Sequence, residues 1–160
     1  MVEEEKLFES GEFGCHNPNA LQCTLWWFFS LHFGIPARDD SLRVCWCDLE
    51  LQNDPERGKE ALVWMAERGS KTRKGMEGAY QRQFTPKIFT IGTERCLVRF
   101  FKFFESPCPE KAKAPSYLFF LAIHVNHKGW REKPNGWYKL SPLGKNQVGK
   151  WYYTNSIWIR

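Results

Sequence analysis

The chain has little that would place it in a membrane, a secreted disulfide scaffold or a zinc module. No run approaches the roughly 18 apolar residues needed to span a bilayer. The apolar stretch around Phe28 and Phe29 is soon interrupted by Ser30, His32 and Gly34. Met1–Glu9, MVEEEKLFE, is acidic where a secretory signal has a basic start and an apolar segment. A soluble, intracellular protein with no membrane partner is the expectation. The six cysteines, at 15, 23, 45, 47, 96 and 108, include no Cys-x-x-Cys pair. Their even number invites a disulfide reading that the lack of a secretory signal opposes. Cys45 and Cys47 have strand spacing and are expected on one face of a strand as small core residues rather than ligands. His124 and His127 form one closely spaced pair, with Cys108 upstream, whereas a structural zinc site takes four ligands. No metal site and no cofactor are expected. Internal repeats and low-complexity tracts are also missing.

What the chain does have is aromatic mass. Its 160 residues include 13 Phe and 8 Trp, with 42% hydrophobic residues overall. One domain with a packed core follows. The formal charge of +5 and a pI near 8.9 are compatible with nucleic acid without specifying it.

Asn17-Pro18 is a helix start, and the helix is expected from Asn19 to about Phe33, ended by Gly34. Leu25–Phe29 is apolar all round, so this helix is central, with Trp26 and Trp27 as core residues. Pro36–Leu42 reads as a second short helix and Val44–Leu51 as a strand. Glu60–Glu67, EALVWMAE, fits a strand or a helix. Gly69, Gly75 and Gly78 mark an exposed loop or hairpin tip over Arg68–Arg82. Phe84–Ile91 returns as a strand, with Pro86 pointing to a sheet edge. Thr93–Glu105 is a helix with a stripe of Leu97, Phe100, Phe101 and Phe104. Ser116–His124 is a buried strand or short helix, and Leu143–Tyr152 opens a last helix. The pattern is α+β and mainly helical, with a small three-stranded antiparallel sheet.

Several blocks carry a resemblance. LHFGIPARDDSLRVCWCDLEL at 31–51 is accompanied by KLFESGEFG near the start and ERGSKTRKG at 67–75. RQFTPKIF at 82–89, TERCLVRFFKFF at 93–104 and WYKLSPLGKN at 137–146 follow in order. Together they resemble a domain shared by MYM-type zinc-finger proteins and glutamine-rich proteins, one derived from the tyrosine recombinase of Crypton DNA transposons. The resemblance implies a fold like part of a tyrosine recombinase catalytic domain. It also implies a nuclear location and a DNA-associated or protein-interaction role in transcription regulation. On this reading residues 1–17 are a lead-in, 18–146 a partial recombinase-derived domain and 147–160 a divergent, cut-off tail.

Tyrosine recombinases use a tyrosine nucleophile, two arginines on the phosphate, a lysine and histidines. Forked arginines suit phosphate oxygens, and the reacting phosphodiester passes through a crowded anionic state. The resemblance puts the first arginine in a turn answered here by Gly34-Ile35-Pro36, and proline carries no charge. Arg38 is nearby but is a poor substitute. Lys71, in Ser70-Lys71-Thr72-Arg73, matches the lysine, although a solvated basic hairpin tip is the plainer reading. The His-x-x-Arg box that holds the second arginine occurs nowhere in the chain. Tyr152 and Tyr153 lack any phosphate site in the surrounding sequence. No catalytic residue and no enzyme activity are expected. Arg38, Arg68, Lys71, Arg73 and Lys74 are the candidate DNA contacts, with duplex DNA or nuclear proteins as partners. An active strand-transfer enzyme and a non-functional gene fragment are the alternatives.

Overall fold

The computed structural model describes residues 2–35, 41–66, 84–124 and 136–157. Within them lie four helices, α1 (Val2–Glu9), α2 (Pro18–Phe33), α3 (Leu97–Glu105) and α4 (Lys145–Ile157). A three-stranded antiparallel sheet joins β1 (Leu49–Asp54), β2 (Lys59–Trp64) and β3 (Lys87–Phe89) in the order β1-β2-β3. β4 (Leu121–Ile123) and β5 (Tyr138–Pro142) form a second, two-stranded antiparallel sheet. The architecture is α+β as expected, with one more sheet than the sequence pattern indicates.

α2 forms where the local signals put it. The Asn17 carboxamide oxygen accepts the Ala20 N–H at 2.8 Å, and Pro18 occupies the first turn, where its missing N–H costs nothing. Gly34 closes the helix at φ 65°, ψ 36°, a left-handed conformation that glycine adopts without Cβ strain. Apolar residues surround the helix, and Leu21, Leu25, Phe29 and Phe33 are all at most 2% exposed. Trp26 is buried and Trp27 half-buried against the same core. α3 lays its predicted stripe of Leu97, Phe100, Phe101 and Phe104 into that core. The ring of Phe119 is the hub, with centroids of Phe104, Trp46 and Phe29 at 4.7, 4.8 and 5.4 Å.

The two chain ends of the described structure join the core rather than trailing from it. On α1, Leu7 is buried, and Phe8 stacks on Phe100 at 6.0 Å beneath the Arg95 guanidinium at 4.8 Å. α4 is fastened to α2 by Asn19, whose Oδ1 accepts from Gln147 Nε2 at 2.7 Å and Trp151 Nε1 at 2.9 Å.

The stretch Val44–Leu51 departs from the strand expected of it. Trp46–Asp48 makes a short 3₁₀ turn, because the buried Asp48 carboxylate accepts the Cys45 N–H at 2.8 Å. The strand begins only at Leu49. The extended backbone before it pairs with residues 115–119, through Trp46 N–H to Tyr117 O and Phe119 N–H to Val44 O. Cys45 and Cys47 therefore do not share a core face: Cys45 is half-buried and Cys47 exposed. Of the expected short helix over Pro36–Leu42, residues 36–40 lie outside the described structure, and Ser41–Arg43 is a 3₁₀ turn. Of the ambiguous EALVWMAE segment, residues 60–64 belong to strand β2, at the centre of its sheet. β3 is an edge strand, in keeping with Pro86.

All six cysteines are free thiols; Cys15 and Cys47 are exposed, while Cys23, Cys96 and Cys108 are buried. Burial pushes the Cys108 thiol well above the ordinary thiol range despite the pull of Lys113, so little reactive thiolate forms there. Alkylation of the folded protein at pH 8 is expected to label Cys15 and Cys47 first, with Cys108 labelled only after denaturation. Peptide mass spectrometry after timed quenching measures the order. Early labelling of Cys108 contradicts the packing around it.

Candidate nucleic-acid interface

Two chain segments carry the basic residues singled out by the sequence, and the fold brings their bases together. The first leaves α2 at Gly34. The second departs from the end of β2 and returns at the start of β3. Phe33, the last residue of α2, stacks on Trp64, the last residue of β2, with ring centroids 5.5 Å apart and planes at 25°. The strand base is closed by Val63 paired with Lys87 and by Trp64 N–H donating to Pro86 O at 3.0 Å. Leu49, opposite Trp64, and Leu62, opposite Ile88, turn that side of the sheet toward the core. Both segments are thus rooted in one rigid aromatic contact. Arg38, Arg68, Lys71, Arg73 and Lys74 themselves, with Pro36 and Arg82, lie outside the described residues.

Lys87 on β3, Lys102 on α3 and Arg57 in the turn between β1 and β2 already have companions. Lys87 Nζ lies 3.5 Å from Asp54 Oδ2, and Lys102 Nζ 2.6 Å from Glu60 Oε2. The Arg57 guanidinium sits 4.5 Å above the Phe89 ring. Asp54 accepts the backbone N–H groups of Glu56 and Arg57 in the β1–β2 turn. The Arg57 N–H, helped by Lys87, holds the Asp54 carboxyl below its usual value. These groups settle the turn and the strand edge; exposed pairs of this kind add little stability.

The tyrosines sit in contrasting settings. Tyr138, fully buried on β5, donates its hydroxyl to the Pro18 carbonyl at 2.9 Å. Burial drives its ionisation far above the ordinary phenol range, so it pins β5 to the start of α2. Tyr152 and Tyr153 stand exposed on α4. His124, at the end of β4, is exposed and Cys108 is buried, while His127 lies outside the described residues. No described group of three or more His, Cys, Asp or Glu side chains gathers as a metal site. No described helix is long and apolar enough to cross a membrane.

A family model described as a domain of unknown function (DUF3504) matches residues 1–152. The chain belongs to that family. Among relatives, the human zinc finger MYM-type protein 3 is 25% identical over 159 residues, covering 92% of this chain and 11% of that protein. The human transcriptional regulator QRICH1 is 23% identical over 161 residues, covering 93% of this chain and 19% of its own length. The DUF3504 chain therefore spans only a small part of the relatives it matches. No solved structure matches it. The relatives agree with the resemblance carried by the sequence blocks, as far as the MYM-type proteins are concerned.

One residue that fixes the fold was not singled out in the sequence. Gln22, in the middle of apolar α2, is fully buried and holds β4 by two hydrogen bonds to Leu121. A lone glutamine in an apolar helix is the available signal, since a buried amide must find partners.

Proposed function

We propose that this DUF3504 domain is a catalytically inactive, recombinase-derived module that associates with duplex DNA in the nucleus as part of transcriptional regulation. The observation that carries the inactive reading is Pro36 in the Gly34-Ile35-Pro36 turn, where the resembled enzymes hold a phosphate-gripping arginine. A guanidinium at that place stabilises the anionic transition state; a pyrrolidine ring does not. The regulatory part is supported by the name of the human relative, a transcriptional regulator. Both the recombinase ancestry and the nuclear setting enter through the resemblance.

DNA association is assigned to Arg38, Arg68, Lys71, Arg73 and Lys74, whose segments leave the fold beside the Phe33–Trp64 contact. Each phosphate neutralised by such a cation releases counterions, so affinity falls steeply with salt. The double substitution Lys71→Ala with Arg73→Ala is expected to lower duplex affinity and to reduce the log–log salt slope by about 2. Fluorescence anisotropy on a labelled duplex across a salt series measures both. An unchanged slope removes these residues from the interface. No binding by the unsubstituted chain at low salt redirects the reading to a protein partner. Covalent capture on a nicked suicide duplex is expected to yield nothing, and a trapped adduct overturns the inactive reading.

A further inference from the structure

We propose that the outer side of α4 is a contact surface for single-stranded nucleic acid. The rotation of α4 about its axis is fixed by its inner side. Val148 and Trp151 are buried, and both Gln147 and Trp151 donate to Asn19 Oδ1 at 2.7 and 2.9 Å. At about 100° per residue, Tyr153 lies opposite the buried Val148 and Trp151, with Lys145 and Tyr152 on one flank of the helix and Lys150 on the other. Both lysines and both tyrosines are exposed, the tyrosines at 45% and 61%. Lys150 and Tyr153 are three residues apart and so neighbours on the helix surface.

The composition of this side favours a polyanion with accessible rings. From Lys145 to Ile157 the helix contains two lysines and no aspartate or glutamate. Lys139, on the strand that leads into the helix, is exposed too and adds the same sign. The two tyrosine rings lie 6.0 Å apart at 79°, an edge-to-face pair that leaves ring surface open to solvent. Exposed aromatic rings beside lysines are how proteins hold unpaired strands: the cations track phosphates while bases stack on the rings. A duplex keeps its base faces stacked inside and gives the tyrosines nothing to receive. The unpaired strand is therefore the occupant that uses both features. The proposal uses none of the residues assigned to duplex DNA and does not depend on their role.

The test is fluorescence anisotropy of the full chain on a labelled, mixed-sequence DNA single strand over a salt series. Lys145→Gln with Lys150→Gln is expected to weaken binding about tenfold at low salt and to lower the salt slope by about 1.4, two contacts at 0.7 each. Tyr152→Ala with Tyr153→Ala is expected to weaken binding about fivefold or more with the slope unchanged, since stacking releases no counterions. Lys71→Ala with Arg73→Ala is expected to leave single-strand affinity within about twofold, which separates this surface from the duplex site. Each variant is checked by circular dichroism, and all four positions are exposed, so the fold is expected to persist. The proposal is overturned if the unsubstituted chain does not bind the single strand at low salt. It is equally overturned if either α4 pair binds as well as the parent.

Discussion

Phe104→Ala is expected to unfold the domain in much less denaturant than the parent requires, losing about 3–5 kcal/mol of stability. The ring is 0% exposed and is touched from three directions, by Phe119 at 4.7 Å, Tyr138 at 5.1 Å and Trp46 at 5.8 Å. Those neighbours come from the 3₁₀ turn after α2, from the chain before β4 and from β5. Truncation leaves a void that no single element can close by shifting, because each neighbour is also held elsewhere. Tyr138 is tied to Pro18, and the backbone N–H of Trp46 donates to Tyr117 O. A domain of ordinary stability has about 5–15 kcal/mol to lose, so the variant is expected to be marginal at 25 °C. A urea titration monitored by tryptophan fluorescence reads the midpoint. A loss below about 1 kcal/mol shows a core that collapses around the gap, as in a loosely packed chain. Phe103→Ala serves as the control: its ring is 38% exposed on the same helix and a much smaller loss is expected.

The elements legible in the sequence are those built by local chemistry. Asn17, Pro18 and Gly34 mark both ends of α2 within a turn of where it starts and stops, because capping is decided by adjacent residues. The stripe of α3 is equally local, since Leu97, Phe100, Phe101 and Phe104 share a face by helical spacing alone. Val44–Leu51 misleads for the opposite reason. Its alternation is real, yet Asp48 caps Cys45 and the backbone pairs with residues some 70 positions later, which no local pattern announces. Ser116–His124 reads as a buried strand or short helix, yet its pairing with β5 is not legible, because β4 is three residues long and is held by a glutamine 99 positions before it. The candidate DNA-binding residues were found by resemblance. Their common root, Phe33 against Trp64, joins two positions with no local relation in sequence. The exposed side of α4 went unread because a stretch without family blocks looked like a tail, whereas Trp151 and Gln147 meet Asn19 only in the folded chain.

Gln22→Leu is the substitution expected to matter most among those that keep side-chain volume. Gln22 Nε2 donates to Leu121 O at 2.9 Å, and Leu121 N–H donates to Gln22 Oε1 at 2.8 Å, with both residues fully buried. The carboxamide thus acts as a peptide group on the free edge of β4. Leucine fills the space and removes both partners, leaving a buried N–H and a buried C=O unsatisfied. At about 1–3 kcal/mol for each, the two unsatisfied groups cost about 2–6 kcal/mol, against which the gain from an apolar side chain is smaller. Gln22→Glu separates the two bonds by pH. The carboxylate can still accept the Leu121 N–H but faces the Leu121 carbonyl with a second oxygen and no proton. Protonation restores a donor, so the folded-state pKa of the introduced acid rises above its unfolded value of about 4.3. A raised acid contributes its stability below the unfolded pKa and loses it as pH climbs toward the folded value. The Gln22→Glu variant is therefore expected to approach the parent near pH 4 and to fall away from it toward pH 7, while the deficit of Gln22→Leu stays flat. Denaturation midpoints at the two pH values, each referenced to the parent, measure the difference. A Gln22→Glu deficit that does not change with pH means that the side chain does not bridge β4, and the strand must then be held by the neighbouring pairing with β5 alone.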